Sequence, residues 1–71
     1  MLIKQKNNDT WVMQIRNKEY EIKTHTPVNE DLIQNALHQT HLTGKHNLNK
    51  SDENKLIEFL ETTYKFKVQT I

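Results

Sequence analysis

The sequence predicts a small α+β domain in which two helices pack on one face of an antiparallel sheet of three or four strands, in the order βββααβ. Residues 10–16, 20–24 and 64–71 alternate between apolar and polar side chains, as half-buried strands do. Two further segments, 28–37 and 51–64, repeat apolar residues with the 3.6-residue period of a helix. The 71 residues suffice for one core, so we expect a single domain over 1–71.

The first strand, about residues 2–6, has two possible registers against the second strand. A two-residue loop would turn Lys4 and Lys6 inward, whereas a three-residue loop over 7–9 leaves both lysines in water. We therefore expect the longer loop, which pairs Ile3 with Met13 and Lys4 with Val12.

The second and third strands are predicted to form a hairpin. A two-residue turn at Asn17 and Lys18 is favoured, because asparagine tolerates the positive φ of a type I′ turn. This register places the apolar side chains of both strands on one inner face and pairs opposite charges on the outer face. The predicted pairs are Ile15 with Tyr20, Met13 with Ile22, Trp11 with Thr24, Arg16 with Glu19 and Val12 with Lys23.

Both helices have predicted ends. Thr26 is the expected N-cap of the first helix, with Pro27 at its first position and Gly44 as a stop signal. Ser51 is the expected N-cap of the second helix, and residues 41–50 are interpreted as a loop. The alternating tail over 64–71 is expected to close the sheet as a fourth strand.

Over about residues 2–40, a three-stranded meander with a tryptophan in its middle strand precedes a helix. In this element order the segment resembles the sheet-reading DNA-binding domains at the amino end of some phage and transposon integrases. The resemblance implies contact with nucleic acid and assigns no site residue. The many Asn, Lys and Ile residues also give the impression of a phage or a low-GC bacterium.

The predicted outer face of the sheet is basic. Six basic residues against Glu19 and Glu21 give it a net charge of +4, while both helices are net acidic. Such a face can hold phosphates, although exposed lysines also simply keep an open sheet soluble. The aromatic residues map to the inner face, which disfavours the stacking of single-stranded bases. The candidate nucleic-acid-binding residues are Lys4, Lys6, Arg16, Lys23, Lys65 and Lys67.

The composition excludes several classes of protein. Without cysteine there is no disulfide and no thiolate chemistry, which favours a cytoplasmic setting. One glycine and one serine leave no glycine-rich phosphate loop and no nucleophile elbow. No apolar run approaches 18 residues, and Lys4 interrupts the first apolar residues, so we expect neither a transmembrane span nor a signal peptide.

Two groups of residues could carry chemistry, but each has a simpler interpretation. The spacing of His38, His41 and His46 permits a metal ion, yet no fourth ligand is evident nearby. The acid pairs at 30–31 and 52–53 lie in first helical turns, where the helix dipole favours acids. We therefore expect no catalytic residue, no metal site and no cofactor.

Together these patterns predict a small non-enzymatic binding or regulatory protein. Its two oppositely charged surfaces favour contacts with another protein. Nucleic-acid binding through the basic outer face is the alternative, and no membrane contact is expected.

Overall fold

The computed structural model describes residues 2–42 and 48–71. An antiparallel sheet of four strands, in the order β1-β2-β3-β4, combines with two helices that lie between β3 and β4 in the chain. The predicted α+β class, antiparallel sheet and pair of helices are thereby confirmed. The elements are β1 (Leu2–Asn7), β2 (Thr10–Ile15), β3 (Lys18–Lys23), α1 (Glu30–Gln39), α2 (Lys50–Thr63) and β4 (Lys67–Thr70).

The predicted register of β1 against β2 is confirmed. Ile3 lies opposite Met13 and Lys4 lies opposite Val12, with an irregularity in the ladder before Asn7. Because this register keeps Lys4 exposed and half-buries Ile3, the cost of burying an unpaired ammonium group is avoided.

The predicted turn between β2 and β3 is wrong by one position. The turn residues are Arg16 and Asn17, Ile15 lies opposite Lys18, and Met13 lies opposite Tyr20. Arg16 adopts the positive φ of 54° that was expected of asparagine. The pairing therefore shifts by two residues, and because side chains alternate with a period of two, the same side chains still face inward.

Both helix starts differ from the prediction. Asn29 caps α1 and Asn49 caps α2, with their side-chain oxygens accepting from the backbone N–H groups of Leu32 (3.0 Å) and Asp52 (2.8 Å). Asparagine is at least as good an N-cap as serine or threonine. Asn29 lies three residues after the predicted cap Thr26, and Asn49 lies two residues before the predicted cap Ser51. The predicted stop at Gly44 lies outside the described residues.

The fourth strand is shorter than predicted. Tyr64 is the C-cap of α2 rather than a strand residue, and Lys65 has a φ of 60°. The Tyr64 ring stacks on Phe66 at 5.4 Å and meets Phe59 edge-on at 5.7 Å, so aromatic packing holds this corner outside the sheet.

The core lies between the inner face of the sheet and the buried sides of the helices. Its largest aromatic residue, Trp11, is 3% exposed. The buried apolar residues are Trp11, Met13, Ile15, Tyr20, Ile22, Ile33, Ala36, Leu37, Leu42, Leu48, Leu56, Leu60 and Phe66. Within residues 2–42 and 48–71, neither helix has the length and hydrophobicity that crossing a bilayer requires.

Candidate binding surface

We call the side of the sheet opposite the core the outer face. Its members follow from the alternation of side chains along each strand and from the cross-strand registers. They are the buried Thr10 and the exposed or half-buried Leu2, Lys4, Lys6, Val12, Gln14, Glu19, Glu21, Lys23, Lys67 and Gln69, together with Ile71, whose N–H donates to the carbonyl of Glu19.

Four of the six predicted basic residues lie on the outer face. Lys4 and Lys6 are on the edge strand β1, and Lys23 lies directly opposite Lys67. The carboxylate of Glu21 is 3.3 Å from the Lys6 ammonium and 3.9 Å from that of Lys23. Glu21 therefore neutralises part of the positive potential in the middle of this face.

Arg16 does not lie on the outer face, contrary to prediction. It belongs to the turn between β2 and β3, and its guanidinium donates to a carboxylate oxygen of Glu53 at 2.5 Å. The physical reason is the shifted register, which moves Arg16 out of the strand and lets it extend toward α2. Its charge is therefore committed to an intramolecular ion pair.

Lys65 also leaves the outer face, because the connection between α2 and β4 replaces the predicted start of the strand. Four lysines against Glu19 and Glu21 remain, so the net charge of the outer face is +2 rather than the predicted +4. A phosphate backbone would meet a weaker and interrupted positive surface.

Apolar side chains are exposed beside these lysines. Leu2 is 70% exposed on the edge strand β1, and Ile71 is 66% exposed beside Glu19 at the opposite edge of the outer face. A shallow cavity of about 200 Å³ opens next to Leu2. Its lining residues are Leu2, Ile3, Lys4, Val12, Gln14 and Glu19. The outer face thus combines apolar contact area with flanking positive charge.

A second group of charged residues surrounds Glu53, in the first turn of α2. Glu53 is only 1% exposed, and its carboxylate accepts hydrogen bonds from the Tyr20 hydroxyl and the Arg16 guanidinium. The Lys18 ammonium is 3.9 Å away. Two hydrogen-bond donors and one nearby ammonium group from the β2–β3 hairpin thus compensate one buried carboxylate, as a buried charge requires.

These contacts shift the pKa values of Glu53 and Tyr20 in opposite directions. The hydrogen bond from Tyr20, followed by the charges of Lys18 and Arg16, holds the pKa of Glu53 below its usual range, although burial acts in the opposite direction. The same hydrogen bond, followed by burial, raises the pKa of Tyr20. Glu53 therefore stays ionised and is fully engaged in joining the hairpin to α2.

The sequence prediction missed the role of Glu53. It placed Glu53 with Asp52 as an acid of the first helical turn, which both are. The signal for burial was present, since Glu53 stands three residues before Leu56 and seven before Leu60, on the same side of a helix. A carboxylate on the apolar side of a helix is expected to be buried and therefore to need a hydrogen-bond donor or a cation beside it.

The histidines give no sign of a metal centre in the part of the chain that the structure describes. His38 and His41 are exposed near the end of α1, and His46 lies outside the described residues. Across 2–42 and 48–71, no three His, Asp or Glu side chains are grouped as metal ligands. The acid pair Glu30 and Asp31 occupies the first turn of α1, as predicted.

Comparison of the chain with protein-family models, with curated proteins and with solved structures finds no match. The function must therefore be inferred from the surface itself.

Proposed function

We propose that this chain is a small non-enzymatic, cytoplasmic binding protein that recognises another protein through the outer face of its sheet. The observation that carries the proposal is that exposed Leu2 and Ile71, at the two edges of the sheet, share the outer face with Lys4, Lys6, Lys23 and Lys67. Apolar contacts supply affinity at protein interfaces, while the surrounding charge steers association and selects an acidic partner.

A non-enzymatic role is supported by how the shifted titratable groups are used. Among the described residues, the hydrogen bond between Glu53 and Tyr20 shifts the pKa values of both groups, so each is the partner of the other. A general acid or base needs a free oxygen that a substrate can reach. The Glu53 carboxylate is instead buried and accepts hydrogen bonds from Tyr20 and Arg16, with the Lys18 ammonium 3.9 Å away.

Nucleic-acid binding, the alternative, has less support. It would rest on Lys4, Lys6, Lys23 and Lys67, because Arg16 is paired with Glu53 and Lys65 lies off the sheet. Each lysine that neutralises a phosphate adds to the affinity for nucleic acid. Glu21 already lies within ion-pair distance of two of the four, Lys6 and Lys23.

The proposal is tested by capturing partners from nuclease-treated extract of the host cells. The test variant is Leu2→Ser combined with Ile71→Ser, and the matched control is Leu32→Ser, which changes an exposed leucine of α1. We expect a protein that the unmodified chain and the control retain at least about tenfold better than the double variant, which corresponds to about 1.4 kcal/mol. Equal capture by all three chains, with all three folded, would contradict a role for the outer face.

A further inference from the structure

β1 forms one edge of the sheet. It pairs with β2 on one side, and in the part of the chain that the structure describes no strand pairs with its other side. Five of its six residues are exposed, and Ile3 is half-buried. An open strand edge of this kind can accept an extended peptide as an additional strand.

The backbone groups that face the open edge follow from the ladder. In an antiparallel sheet, successive residues direct their N–H and C=O groups alternately to the two neighbouring strands. The Thr24 N–H donates to the carbonyl of Asp9 at 2.9 Å. The backbone N–H and C=O groups of Asp9 and of the odd-numbered residues of β2 therefore face β3. The backbone groups of Val12 therefore face β1, where Val12 pairs with Lys4. The residues on either side of Lys4, which are Ile3 and Gln5, direct their backbone groups to the open edge.

The side chains of β1 define the chemistry of a fitting strand. Residues of an added strand would alternate between the outer face, beside Lys4 and Lys6, and the inner side, beside the half-buried Ile3. Acidic residues complement Lys4 and, in competition with Glu21, Lys6, while apolar residues extend the contact with Ile3. Building on the proposed function, we propose that β1 accepts an antiparallel fifth strand from a partner protein, in which acidic and apolar residues alternate.

Charge favours such a partner over a second copy of this chain. If two copies paired antiparallel along β1, with Ile3 of one copy opposite Gln5 of the other, their Lys4 side chains would lie directly opposite each other. Like charges in that position oppose pairing, whereas a glutamate there is attracted to Lys4. The other edge strand, β4, is only four residues long and places one lysine, Lys67, on the outer face.

The experiment uses a fluorescent eight-residue peptide of alternating valine and glutamate, capped at both ends. In the antiparallel arrangement the valines lie beside Ile3, so the valine N–H groups bond to β1 and the glutamate N–H groups point away. One analogue is N-methylated at the valines, and its matched control is N-methylated at the glutamates. A valine and lysine peptide tests the charge preference.

Two variants of the full chain complete the design. Gln5→Pro removes an N–H that faces the open edge of β1 and leaves its bonds to β2 in place. Thr70→Pro is the matched control, because the Ile71 N–H faces β3 and the neighbouring Thr70 N–H therefore faces away. Where Gln5→Pro fails to fold, the two N-methylated peptides alone decide.

We expect the valine and glutamate peptide and its glutamate-methylated analogue to bind the unmodified chain and Thr70→Pro. Valine methylation, the Gln5→Pro substitution and the exchange of glutamate for lysine should each weaken binding at least about tenfold. Equal binding of both methylated analogues, or no binding of the unmethylated peptide, overturns strand addition. A dimer of the chain that Gln5→Pro abolishes also overturns it, because a second copy then occupies the edge.

Failure of this inference is distinguishable from failure of the proposed function. If the peptide does not bind while capture from extract still depends on Leu2 and Ile71, only strand addition is wrong. If the substitutions at Leu2 and Ile71 leave the capture unchanged, the proposal that the outer face is the interface is wrong.

Discussion

The phenolic hydroxyl of Tyr20 donates a hydrogen bond to the buried carboxylate of Glu53, and this contact joins β3 to the first turn of α2. Arg16 donates to the other carboxylate oxygen from the preceding turn. The hairpin and the helix are therefore held together by a polar contact at a carboxylate buried beside the apolar core. This contact also removes one basic residue from the surface that the sequence predicted to bind phosphates.

We expect Tyr20→Phe and Glu53→Gln to act on the same interaction. Each substitution should lower the free energy of unfolding by about 1 to 2 kcal/mol, because each leaves a buried polar group with a missing or weaker partner. In the double variant the losses should fall short of additive by about 1 kcal/mol, as measured by urea denaturation. Strict additivity would mean that the two side chains do not interact in solution.

Acid should weaken the fold through Glu53. Because its folded-state pKa lies below the usual value of 4.5, its contribution is complete above that pH and is lost as the pH falls toward the folded-state pKa. Urea midpoints measured from neutral pH down to about pH 3 should converge for the unmodified chain and Glu53→Gln. A difference in stability that is constant over this range would show that the Glu53 charge is not the cause.

Trp11→Ala should destabilise the fold by about 3 kcal/mol or more, because Trp11 is buried in the core and its removal leaves a large cavity. Trp11→Phe should cost less, about 1 kcal/mol, since it keeps an aromatic ring and removes the buried indole N–H, which has no acceptor in the described part of the chain. Chemical denaturation measures both. Equal, small effects would place Trp11 outside the core.

Duplex and single-stranded DNA should bind negligibly at about 150 mM salt, where charges more than roughly 8 Å apart are screened. The outer face has lost Arg16 and Lys65 from the predicted set, and Glu21 interrupts what remains. Fluorescence anisotropy of labelled DNA measures this. Low-micromolar affinity that Lys4→Glu with Lys67→Glu abolishes for every sequence alike would instead support nucleic-acid binding.

The faces of the strands could be predicted from the sequence, but some of their ends and turns could not. Alternation alone identified the inward side chains, and the lysines of β1 selected its register. The β2–β3 turn was misplaced because asparagine at position 17 suits two adjacent turns, and a shift of two residues preserves both faces. The observed turn is accompanied by tertiary contacts of Arg16 and Lys18 with Glu53, which a pattern within the hairpin does not contain.

The candidate surface was predicted in part for the same reason. Lys4, Lys6, Lys23 and Lys67 lie within strands, where alternation fixes their side. Arg16 and Lys65 adjoin strand ends, where a change of φ to positive values redirects the chain. The exposure of Leu2 and Ile71 depends on whether other parts of the chain cover their strands. The alternation of residues within one strand carries no information about this.

The central claim, that a partner protein adds a strand to the open edge of β1, is tested most directly by residue-resolved amide hydrogen exchange. The chain is measured alone and with the purified protein recovered by capture. The N–H groups of Ile3 and Gln5 face the open edge, so we expect them to exchange rapidly in the free chain and to become protected in the complex. Protection confined to α1 and α2, with Ile3 and Gln5 unchanged, would contradict the claim.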